Sequence, residues 1–147
     1  MNNILKISSG KKKHFTTISM LIFAMLFSAI LAGCGQNLGT KLNFGENNEL
    51  YYTENVTSEQ AKALGDYLVK GEFFANDSNE RTVQLNKSGS TYEFRMVVKT
   101  GLDQDQATID LMKSVAAELS ANVFNGETVD VHLCDDTLKT LRVVVVN

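Results

Sequence analysis

The chain has no proline, only two cysteines (Cys34 and Cys134) and only two histidines (His14 and His132). Without proline it cannot carry a stiff, extended stalk of the Pro-rich kind. Two cysteines are too few for the disulfide framework that staples small secreted domains. Acidic residues are missing from the first 45 positions: all 17 lie beyond them, whereas Lys6, Lys11, Lys12 and Lys13 precede residue 15. Without its first 33 residues the chain keeps ten basic residues against those 17 acidic ones, a formal charge of −7. A body so acidic is repelled by phosphate backbones, which excludes nucleic acid as a natural partner. Gly-rich phosphate loops, G-x-S-x-G elbows and H-E-x-x-H helices are absent as well, and with them the chemistries they serve.

What is present begins with a three-zone leader. Lys11-Lys12-Lys13 supplies positive charge, and Phe15 to Ala32 is nearly uncharged and apolar. Leu31-Ala32-Gly33-Cys34 then ends the run on small residues and a cysteine. The first two zones suit a secretory signal peptide or, since 18 residues just reach across a bilayer, a membrane-spanning helix. The last four residues favour the signal peptide. They resemble the lipobox of bacterial lipoproteins. The resemblance implies cleavage after Gly33, with Leu31, Ala32 and Gly33 forming the cleavage site, and diacylglycerol on the thiol of Cys34. Further acylation with a fatty acid such as palmitate would make the attachment stable, at about 0.8 kcal/mol per buried methylene. Gly35, not Asp, follows the cysteine. By the same resemblance this favours the outer membrane in a diderm cell and the outer face of the cytoplasmic membrane in a monoderm one. The expected organisation is a signal peptide over 1–33, a lipidated cysteine with a flexible Gly/Asn tether over 34–48, and a single domain over 49–147.

The domain's periodicity predicts an α+β fold. Strands are expected at Glu49–Thr53, Arg81–Asn86, Thr91–Lys99, Thr128–Cys134 and Thr140–Val146. A first helix begins at the capping box Thr57-Ser58-Glu59-Gln60 and closes at Gly71. A second begins near Asp103–Gln106 and stops before Gly126. The order β-α-β-β-α-β-β reads as two helix-hairpin pseudo-repeats, in which Phe94-Arg95-Met96-Val97-Val98 echoes Leu141-Arg142-Val143-Val144-Val145. The simplest architecture is a two-layer sandwich, an antiparallel-rich sheet with both helices on one face. Strand alternation then points Val83, Leu85, Phe94, Met96, Val131, Leu133, Leu141, Val143 and Val145 at the helices. Gln84, Glu93, Arg95, Asp130, His132, Cys134 and Arg142 point the other way.

That second face is the expected contact surface, with Arg95, Arg142, His132 and Glu93 as its candidate binding residues. The competing explanation is an ordinary solvated sheet face whose arginines pair with nearby acids. His132 and Cys134 share a strand face at a spacing that two ligands of one zinc or copper ion, or a thiol and its base, would have. A zinc site needs two more ligands and no second His/Cys pair exists, so no metal, cofactor or catalytic residue is assigned. The expected function is a membrane-anchored extracytoplasmic lipoprotein whose non-catalytic domain binds an envelope protein or a wall component. An envelope enzyme or metal-binding protein using His132 and Cys134 is the alternative.

Overall fold

Thr57 starts the first helix as its sequence pattern demands. Its hydroxyl accepts from the Gln60 backbone N–H, and the Gln60 side chain accepts from the Thr57 N–H, closing the capping box. The other end of the Gln60 amide donates to the hydroxyl of buried Tyr92 at 2.6 Å, so one capping residue also ties the helix to the sheet. Helix α1 spans Ser58–Lys70 and α2 spans Gln106–Asn122. Asp105, two residues beyond Asp103, caps α2 by accepting from Thr108. In the computed structural model, which describes residues 37–146, these two helices lie on a six-stranded sheet.

The strands are β1 (Thr40–Asn43), β2 (Asn48–Tyr52), β3 (Arg81–Ser88), β4 (Thr91–Val97), β5 (Val129–Cys134) and β6 (Thr140–Val144). They lie side by side in chain order. The hairpins β1–β2, β3–β4 and β5–β6 are antiparallel, while the helical crossovers make β2–β3 and β4–β5 parallel, so the sheet is mixed. Residues 37–147 form a compact unit of their own, and the sheet, both helices and the described core lie within it.

Two expectations need correction. The stretch read as a flexible tether contains β1, which pairs with β2 from Thr40↔Tyr52 to Asn43↔Glu49. Gly39 makes that strand possible: its φ is +85°, and a Cβ there would fall 2.0 Å from the Tyr52 carbonyl oxygen. The second correction concerns β6. Val131 pairs with Val144 and Leu133 with Arg142, and a bulge lies between Leu133 and Cys134. The bulge shifts the phase of the last strand by one residue, which exchanges its faces. Val144 is therefore buried at 3%, whereas Leu141, Val143 and Val145 are 44–46% exposed. Arg142 turns to the helix side, where its Nε donates to the Asp103 carbonyl. The two arginines of the apparent pseudo-repeat thus occupy opposite faces.

Elsewhere the alternation holds. Val83, Leu85, Phe94, Val131 and Leu133 are fully buried beneath the helices, joined by Ala61, Leu64 and Leu68 of α1 and Met112, Ala116 and Leu119 of α2. Met96 packs against this cluster but is only partly buried.

Candidate functional site

The helix-free face is built by cross-strand register. Lys41, Tyr51, Gln84, Arg95, His132 and Val143 make one row across all six strands, each paired with the next. The centre of this row is not open water. Gln84 is buried and donates to the Leu38 carbonyl at 3.0 Å. The β5–β6 loop folds back over the same face, held by Arg95 Nη2 donating to the Leu138 carbonyl at 2.8 Å. Leu138 itself is buried although its φ is +61°, a conformation an L side chain adopts at a cost. Asp135 shapes the loop by accepting from the backbone N–H groups of Thr137 and Lys139.

A polar chain runs through this region. Thr53 donates to Asn86 at 2.6 Å, Asn86 donates to Glu93 at 2.9 Å, and the Glu93 carboxylate lies 3.5 Å from Arg95 Nη1. Arg95 Nη1 is also 3.5 Å from His132 Nδ1, which lies 3.1 Å from the Thr140 hydroxyl. Burial pushes the His132 pKa down, with Arg95 adding to the effect and Glu93 and Asp130 opposing it. The imidazole is accordingly neutral near pH 7.

Of the four candidate binding residues, Glu93, Arg95 and His132 meet in this network, and Arg142 does not. Arg95 serves the fold by bridging Glu93, His132 and the β5–β6 loop. Cys134 is fully buried, and its thiol pKa is raised chiefly by that burial. A buried, protonated thiol is a poor nucleophile. A guanidinium 3.5 Å from the His132 ring also disfavours a metal cation there. Among the described residues no three His, Cys, Asp or Glu side chains gather where a metal ion could sit.

The surface that sequence reasoning missed is the edge at β6, which has no strand beyond it among the described residues. Leu141, Val143, Val145 and Val146 are each close to half exposed, and Val97 lies nearby in the sheet at 36%. The run of four valines was the available signal, but a run without alternation does not say which members face out. Leu31, Ala32, Gly33 and Cys34, read from the sequence as resembling a lipobox, lie outside the described residues. No curated protein and no solved structure matches the chain. Residues 41–145, more than two thirds of its length, match the family model described as AF_1994_N: family N-terminal domain, and the chain belongs to that family.

Proposed function

We propose that this is a non-catalytic binding domain displayed on a membrane, held there by lipid on Cys34, and that it captures an extended strand of an envelope protein along β6. The observation that carries the binding half is the exposed apolar edge. A sheet edge presents unpaired backbone N–H and C=O groups, and natural proteins usually blunt it with charge, proline or a cover. Here the exposed members of the edge are Leu141, Arg142 and Val143, with Val145 and Val146 immediately beyond, so a single charge stands among four apolar side chains. An added strand would gain main-chain hydrogen bonds from β6 and bury these side chains. The support for the anchor is the leader ending in Leu31-Ala32-Gly33-Cys34.

Both halves are testable in cells. Cys34→Ser should leave an unprocessed precursor that takes up no labelled fatty acid. Processing and labelling of this variant at the normal level would refute the anchor. A photo-crosslinking residue placed at Val143 should give a discrete adduct, and one at Lys62, on the exposed side of α1, should not. The pair Val143→Lys and Val145→Lys should abolish a crosslink made from Leu141 while leaving the domain folded. An unchanged crosslink would refute the edge, and an adduct of twice the chain's mass would show a second copy in place of an envelope partner.

A further inference from the structure

The two helices leave a hole between them. α1 packs chiefly over β2, and α2 over β5 and β6, and between them a gap opens above Phe94 and Met96 of β4. Under the gap is a cavity of about 180 Å³. Phe94 and Met96 form its floor, Leu68 one wall, Met112 and Leu119 the other, and Phe73 one end. Protein interiors are normally packed to crystal density, and a dry void forfeits the dispersion contacts its lining would otherwise make. A slightly smaller cavity lined by apolar side chains is known to stay dry and accept benzene. The volume therefore suits a ring or a chain of about six carbons.

The opening is not apolar. Tyr67 of α1 and Glu118 of α2 both line the cavity, and the tyrosine hydroxyl donates to Glu118 Oε2 at 3.3 Å across the gap. Glu118 is exposed, and among the described residues no lysine or arginine pairs with it. Oε1 is left without a protein donor among the described residues. A carboxylate with no cationic partner, set at the mouth of an apolar hole in an acidic domain, is complementary to a positively charged head on an apolar body.

We infer that the cleft between α1 and α2 is a binding site for a small cationic amphiphile, its hydrocarbon part on Phe94 and Met96 and its ammonium group at Glu118. This site lies on the opposite side of the sheet from the loop-covered face and does not depend on the β6 edge. The test is a pair of NMR titrations of residues 37–147 with n-hexylamine and hexanoate at neutral pH. Hexylamine should shift the methyl resonances of Met96, Met112 and Leu119 saturably and bind at least tenfold tighter than hexanoate. Glu118→Gln, on the exposed side of α2, should erase that preference and leave the spectrum folded. Val115→Trp should fill the hole and remove binding, with Glu118→Gln as the safeguard should the larger side chain unfold the domain. Absence of saturable shifts with hexylamine would overturn the site. Equal or tighter binding of hexanoate, or a preference that survives Glu118→Gln, would overturn the cationic occupant.

Discussion

Phe44 lies flat against Gly65: a Cβ built on this helical glycine would fall 1.9 Å from the tip of the phenylalanine ring. The β1–β2 turn is thereby clamped to α1, and the ring continues onto Phe74 at 5.5 Å. Alanine is a better helix former than glycine by about 1 kcal/mol. Gly65→Ala should nevertheless destabilise the domain, by about 1–3 kcal/mol, because the ring is forced out of its seat. In a Phe44→Ala background the same change should become neutral or stabilising. Denaturant melts of the four proteins in this cycle check it, and strictly additive effects would show that the two residues do not share the contact.

Phe94 and Glu93 are neighbours on β4 and face opposite layers. Phe94→Ala removes a ring that is 1% exposed and should cost about 3–5 kcal/mol. Glu93→Ala loses the hydrogen bond from Asn86 and the ion pair with Arg95, and should cost only about 1–2 kcal/mol. Thermal melts of residues 37–147 measure both. Equal losses would contradict the register of this strand.

The phase of β6 has its own test. Val144→Asp puts a carboxylate into the apolar layer opposite Val131 and should prevent folding. Val143→Asp, one residue earlier and half exposed, should leave a cooperative melt close to that of the parent. Circular dichroism separates the two, and the reverse pattern would mean that the leucine–valine alternation seen in the chain is the true register.

His132 supplies a pH signature. Its folded-state pKa is depressed from the ordinary histidine value of about 6.5, so the unfolded chain takes up the proton first as pH falls. The stabilisation is present in full above that ordinary value. It is lost as pH drops from there through the folded-state pKa. His132→Gln should flatten the stability profile across this window without changing it at pH 8. A slope that survives the substitution would assign the titration to other groups.

Much of this architecture was legible in the chain. Capping residues and strict alternation act locally, so Thr57 and Gln60 announced α1, and Phe94, Val131 and Leu133 announced their buried face, before any tertiary contact was known. The two helices and five of the six strands came from such signals.

Three features escaped them, each for a physical reason. β1 is a four-residue strand in a Gly- and Asn-rich segment, and nothing in its composition competes with a flexible tether until Gly39 meets the Tyr52 backbone. The valines from 143 to 146 carry no alternation, so their phase was set by the β5–β6 loop and by a bulge that puts Arg142 on the helix side. The apparent repeat of Arg95 and Arg142 is a likeness of letters that the bulge overrides. The network joining Glu93, Arg95, His132 and Leu138 and the cavity between Tyr67 and Glu118 bring together residues as far as 43 and 51 positions apart. Such encounters depend on strand order and helix placement, which local periodicity does not encode. The chain by itself determined which segments become helix or strand and most of their buried faces; the tertiary structure alone decided which side of the sheet is covered, which edge is bare and where the core is left unfilled.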